Sequence, residues 1–348
     1  MSDPANITRR DVLVKAGKAG LGIAFIAGTS LSRDKTPGPA QAGVHGSMKH
    51  GAFETVSVGT EASPPPTDFA PMDAVRFLTA FDYGKVSRLP DGRPLREFLV
   101  VAKDIEQEVA HGVKVPLWSF NGFVPGPTMR ATEGDRIRVH FYNQGSHPHT
   151  IHFHGVHPAG MDGVLEVVEP GRHFVYEFDA EPFGLHLYHC HTLPVKKHIM
   201  KGLYGALLID PKVGRPPAKE LVMVMNGFDT DFDNENEFYT VNGFANIYAE
   251  KPIRLTVNEL VRVYLVNVTE FDLINSMHIH ANFFQVYPTG TSLTPSEYTD
   301  TIMLCQGQRA ILEFTYKYSG KYMFHAHQSE FAELGWNGFF DVVEGGEG

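Results

Sequence analysis

His189-Cys190-His191 sets one thiolate between two imidazoles. On a strand, successive side chains face opposite ways, so His189 and His191 share one face and Cys190 takes the other. The tripeptide can therefore serve two metal sites at once. Thiolate with imidazole suits zinc, copper or iron, whereas calcium or magnesium would call for oxygen ligands. His198 follows the cysteine by eight residues and His149 precedes it by forty-one. Two imidazoles and a thiolate with a weak or absent axial ligand make a blue-copper electron-transfer site.

The earlier run His149-Thr150-Ile151-His152-Phe153-His154 divides by the same parity. His152 and His154 share a face, and His149, three residues before His152, lies on the other. His149 thus belongs with Cys190, while His152 and His154 belong with His189 and His191. The second half repeats the pairs as His278-Ile279-His280 and His325-Ala326-His327. With 18 histidines in 348 residues, chance placement predicts about one His-x-His. Five are present, counting His147-Pro148-His149. A single pair would be read as solvated surface; four in strand-like contexts, two in each half, are read as ligands.

From about residue 75 the chain runs in short apolar or alternating segments broken by Gly, Pro and Asn, such as Arg136-Ile137-Arg138-Val139-His140-Phe141. That pattern predicts antiparallel β-sandwiches, an all-β fold. Glu169-Pro170-Gly171-Arg172-His173-Phe174-Val175-Tyr176-Glu177-Phe178 is answered by Cys305-Gln306-Gly307-Gln308-Arg309-Ala310-Ile311-Leu312-Glu313-Phe314, which implies two domains of one fold. They are expected at residues 75–212 and 218–345, with a break at 211–217. The second copy has Asn275, Ala326, Phe331 and Trp336 where the first has His149, Cys190, His198 and an axial residue. Only the first domain can hold a thiolate-bound metal.

A net charge of −10 without a basic run argues against nucleic acid or an anionic membrane as partner. The two cysteines make no disulfide framework, and Cys305 is expected to be a buried small hydrophobe. Thr8-Arg9-Arg10-Asp11-Val12-Leu13-Val14-Lys15 resembles a twin-arginine export signal, and the apolar residues 19–31 are too few and too glycine-rich to anchor in a bilayer. Residues 1–42, ending at Ala40-Gln41-Ala42, are expected to be that signal and 43–74 a flexible linker, which places the protein in the periplasm or outside the cell.

The histidine pairs and the Cys/His pair closely resemble those of the multicopper oxidases, specifically the two-domain, laccase-like kind with blue copper in the first domain. The likeness covers almost everything after residue 75. It implies two cupredoxin-like Greek-key β-sandwich domains. It also implies about four coppers per chain, one type 1, one type 2 and two type 3. By this resemblance His149, Cys190 and His198 hold the type 1 copper, with Leu203 at the axial position. His152, His154, His189, His191, His278, His280, His325 and His327 then hold the trinuclear type 2/type 3 cluster.

The implied reaction takes single electrons from a small reducing substrate, a phenol, an amine or a metal ion, and reduces O₂ to water. Asp162, Asp300 and Glu330 are candidates for proton relay. Because each domain supplies half of the cluster, the implied assembly is a homotrimer with the cluster between a domain 1 and a domain 2 of different subunits. The Cys190 to His198 loop is nearer in length to that of copper nitrite reductases. In those enzymes the residue after the cysteine is not histidine, so His191 counts against nitrite reduction. That activity is the alternative, together with a non-enzymatic copper or electron-transfer protein, for which eight placed histidines are excessive.

Overall fold

Arg136–Asn143 alternates half-buried and buried residues along its whole length, as a strand with one face on a core requires. Its neighbour Arg172–Asp179 pairs with it antiparallel, and Pro94–Ala110 lies parallel on its other side. With Lys85–Arg88, Val113–Phe120 and Thr60–Glu61 these strands make a six-stranded sheet. A five-stranded sheet, in the order Phe81–Asp82, Thr128–Thr132, Tyr204–Asp210, Gly184–His189, His152–Phe153, faces it. Phe98, Val100 and Phe141 from the first sheet and Met129, Phe153 and Leu207 from the second fill one core, which also takes in Cys190 and Leu203. The metal-ligating candidate is thus an extension of the sandwich interior.

The chain leaves this sandwich at Asp210 and enters the next at Lys219. The second sandwich repeats the plan with a six-stranded sheet ordered Phe238–Val241, Lys219–Phe228, Val261–Asn267, Arg309–Phe314, Phe284–Pro288, Glu297–Thr299. Its five-stranded partner runs Lys251–Thr256, Asn337–Val343, Gly320–His325, Ile274–Ile279, Thr301–Cys305. Two sheets per sandwich, with little helix, give an all-β cupredoxin fold. The sandwiches are joined by backbone and charge together. Leu185 N–H donates to the Thr289 carbonyl at 2.7 Å, and Arg130 bridges Asp210 and Glu220 at 2.7 Å each.

This computed structural model describes residues 56–61, 65 and 69–345, and these residues belong to one compact unit. The expected export signal and cleavage site lie outside the described residues. Part of the expected linker does not: Val56–Val58 pairs in parallel with Glu166–Val168, and Thr60–Glu61 forms the sheet edge beside Arg172–Asp179. Short runs of Val and Thr suffice for edge pairing, a signal hidden by the surrounding Gly and Pro. Cys305 is exposed rather than buried, because Thr301–Cys305 alternates and turns Ile302 and Leu304 inward. Among the described residues, no helix is long and apolar enough to cross a membrane.

Candidate metal centre

Cys190 closes the strand Gly184–His189, and His198 sits in the short helix Val195–Met200 that follows. The Cys190 Sγ lies 3.2 Å from His198 Nδ1 and 3.9 Å from His149 Nδ1, and the two Nδ1 atoms are 3.2 Å apart. Three donor atoms converge on one point, and all three residues are buried. Burial, with repulsion from His198 and His147, pulls His149 down to about 3; burial first, then His147 and Lys197, pulls His198 down to about 4. Both rings are therefore neutral and able to ligate. Burial raises the Cys190 thiol, while hydrogen bonds from Thr192 and Thr150 oppose it. A thiolate here needs a cation at its side, which the donor set supplies room for.

On the opposite strand face, His152 and His189 stand directly across from each other, as do His278 and His325 in the second sandwich. His152 Nδ1 lies 2.8 Å from the Asp162 carbonyl and His189 Nδ1 3.0 Å from the Cys190 carbonyl. His278 Nδ1 likewise meets the Asp300 carbonyl at 2.9 Å, and His325 Nδ1 the Ala326 carbonyl at 2.6 Å. A carbonyl can only accept, so each of these four rings carries its proton on Nδ1 and leaves Nε2 bare. The Nε2 pairs His154/His189 and His280/His325 approach to 3.3 Å and 3.0 Å. Bare imidazole nitrogens aimed at a common point, with their other nitrogens tied down, are built for a metal.

His152, His154 and His189 form one ligand-distance group and His278, His280 and His325 another. His191 and His327 lie beside these groups, with rings 5.4 Å from His152 and 5.3 Å from His278. Among the described residues no such group mixes histidines of the two sandwiches.

Hydrogen bonding fixes the correspondence between the copies. Cys190 N–H donates to Leu203 O and Leu203 N–H to His198 O; Ala326 N–H donates to Trp336 O and Trp336 N–H to Phe331 O. Phe331 and Trp336 therefore replace His198 and Leu203. Asn275, fully buried, stands at the place of His149, and Ser276 Oγ accepts from His327 N–H as Thr150 Oγ1 does from His191 N–H. The second sandwich keeps the scaffold of the thiolate site and fills it with Ala326, Phe331, Trp336 and the amide of Asn275, none of them a thiolate or an imidazole.

Asp162 and Asp300 lie behind the rings, their carboxylate oxygens 3.2 Å from His152 Nδ1 and 4.0 Å from His278 Nδ1. Glu330 is exposed in the helix Ser329–Glu333 and belongs to no histidine group. Three residues beyond the sequence expectations join the site. Trp118 places its ring 4.9 Å from His198, 5.2 Å from His149 and 4.6 Å from His147, all at tilted or edge-on angles, so His147 of the fifth histidine pair packs against Trp118. His157 Nε2 meets the Phe153 carbonyl at 2.8 Å and lies 3.7 Å from Asp162. Arg309, from the second sandwich, brings Nη1 to 3.3 Å from His154 Nδ1. A repeat of histidines close after His154 hinted at His157; nothing in the spacing pointed to Trp118 or Arg309.

Gly163 holds the backbone that presents Asp162 to His152. Its φ is +69°, and a Cβ would meet the Ile151 carbonyl oxygen at 1.9 Å. Gly163→Ala is expected to cost about 3 kcal/mol in chemical denaturation, by strain and displacement of the His152 strand.

Two family models, both described as multicopper oxidase, match residues 102–214 and 215–346. A solved structure described as a multicopper oxidase is 58% identical, with a TM-score of 0.77 over 78% of this chain and 97% of that one. A blue copper oxidase from Nitrosomonas europaea is 26% identical, with a TM-score of 0.64 over 71% of this chain and 86% of that chain. The copper-containing nitrite reductase of Neisseria gonorrhoeae is 32% identical in an alignment 237 positions long that covers 62% of this chain and 60% of the reductase. With both sandwiches matched in order, the chain belongs to the multicopper oxidases.

Proposed function

We propose that this protein oxidises a small reducing substrate one electron at a time and reduces O₂ to water. The observation that carries this reading is the pair of matched half-sites, four histidines each, with Nε2 bare on His152, His189, His278 and His325. Copper, when bound, supplies one-electron redox chemistry at the thiolate site and multi-metal chemistry toward O₂ at the histidine site. Cys190 joins the two sites through its own backbone, since His189 and His191 are its chain neighbours. Trp118 and the sandwich core keep water from the thiolate, with Cys190 fully buried. Asp162 and Asp300 orient His152 and His278 and move protons at their carboxylate oxygens; Glu330 is exposed and takes the more distant part.

Since the half-sites do not meet within a chain, a complete cluster pairs the first sandwich of one chain with the second of another. Such a head-to-tail interface closes into a ring, and a homotrimer is the proposed assembly, with about four coppers per chain. Native mass spectrometry of the copper-loaded protein tests it: a three-chain species is expected, and a monomer holding full copper would contradict it. Nitrite reduction is the second reading, favoured by the likeness to the Neisseria enzyme. His191, one residue after Cys190, weighs against it. Parallel assays of O₂ uptake and nitrite consumption on the copper-loaded enzyme separate the two.

Leu203 is fully buried and shares the core with Cys190. Leu203→Met offers a thioether in its place at a stability cost below about 1.5 kcal/mol. With copper bound, a thioether there would be one more donor and would favour the oxidised metal, so a redox titration of the blue absorption band should give a lower potential. An unchanged or higher potential would show that residue 203 does not face the metal.

A further inference from the structure

Arg309 opens the strand Arg309–Phe314 of the second sandwich, and its guanidinium crosses to the first. Nε donates to the Leu185 carbonyl at 2.9 Å, and Nη1 reaches His154 Nδ1 at 3.3 Å and the Gly307 carbonyl at 3.4 Å. We propose that Arg309 is a positioning residue that keeps the proton of His154 on Nε2, so that copper takes this ring only after Arg309 lets go. The proposal rests on His154 being a ligand of the histidine site.

Donor chemistry places the proton. A guanidinium has no acceptor, so His154 Nδ1 must accept, and the one proton of the neutral ring is left to Nε2. That nitrogen lies 3.3 Å from His189 Nε2, which is bare because His189 Nδ1 donates to the Cys190 carbonyl at 3.0 Å. The hydrogen bonds therefore run one way, from Arg309 through His154 and His189 to the backbone of the thiolate residue. Moving the proton of His154 to Nδ1 would set it against the guanidinium and leave two bare Nε2 atoms facing each other.

The second half-site lacks this lock. His280 Nε2 meets His325 Nε2 at 3.0 Å, and His325 Nδ1 donates to the Ala326 carbonyl, as in the first copy. His280 is exposed, however, and among the described residues its Nδ1 has no hydrogen-bond partner. Its proton can pass to Nδ1 through water and free Nε2, with no change in the charge of the ring. At His154 the same exchange has to break the bond to Arg309.

The guanidinium is costly where it stands. Arg309 is half-buried, burial draws its pKa down, and among the described residues no carboxylate is paired with it. Buried cations are ordinarily paired. Arg309 instead spends its donors on two carbonyls and on His154, a ring that copper would also claim. Two cations cannot share that ring without repulsion. The contact also sits where the sandwiches dock, since Leu185 N–H donates to the Thr289 carbonyl at 2.7 Å. Docking of the second sandwich thus bears on the loading of the first half-site, and by linkage copper at His154 loosens the hold of Arg309.

The test uses the full-length protein, stripped of copper and carrying isotope-labelled histidine, with His154→Asn to assign the resonances. NMR shifts of the two ring nitrogens read the tautomer. Wild type and Arg309→Lys, whose ammonium also only donates, are expected to hold the proton of His154 on Nε2. In Arg309→Gln the amide can donate or accept, so a population with the proton on Nδ1 should appear. Cuprous ion is then titrated without O₂ against a chromogenic chelator. The weakest-bound copper of the wild type should bind about tenfold tighter in Arg309→Gln and be little changed in Arg309→Lys. A role in docking alone predicts that Lys and Gln, neither of which has the arginine fork, act alike. A proton on Nδ1 of His154 in the wild type, two variants that behave alike, or an unmoved weakest copper overturns the proposal. None of these readouts uses O₂ or nitrite. A wild type that holds only one copper per chain would overturn the assignment of His154 as a ligand.

Discussion

Cys190→Ala is expected to abolish the blue band and cut donor-driven O₂ uptake by ~10³-fold or more, as when one member of a catalytic unit is removed. The protein should still fold, because the second sandwich carries Ala326 at the matching place, fully buried and with the same backbone hydrogen bond. Copper should fall by about one per chain, since the histidine half-sites keep their ligands. Absorption spectra, metal analysis and an oxygen electrode check these outcomes together. Retention of substrate-driven uptake would mean that electrons reach the histidine site without the thiolate.

His278→Ala/His325→Ala should do the opposite. These residues stand in register on adjacent strands, and both point bare Nε2 atoms outward. Without them the shared cluster has half its partner set, so copper should drop to about one per chain while the blue band stays. O₂ uptake should be lost, yet a strong donor should still bleach the band once. Because neither side chain is in the core, thermal stability should change by less than about 1 kcal/mol. A variant that keeps its full copper would place the cluster elsewhere.

Much of this site was legible in the sequence because strand parity is a strict rule. His189, Cys190 and His191 could be sorted between two faces without coordinates, and the structure sets Cys190 with His149 and His198 and His189 with His152 and His154. The duplication was legible for the same reason, down to Phe331 and Trp336 replacing His198 and Leu203. Cys305 was expected to be buried from its residue type, whereas strand alternation turns it outward and its neighbours Ile302 and Leu304 inward. Residues 56–61 were hidden because an edge strand needs only a few residues and no apolar run. Trp118 and Arg309 reach the site from strands remote in sequence. Their proximity arises from sandwich closure and from the docking of the two sandwiches, which no local pattern encodes.

Complete reduction of O₂ at a cluster shared between two chains is decided by titrating donor against O₂ on the copper-loaded enzyme while assaying peroxide and nitrite. About four electrons per O₂ consumed are expected, with no peroxide released. Consumption of nitrite with no uptake of O₂ would contradict this.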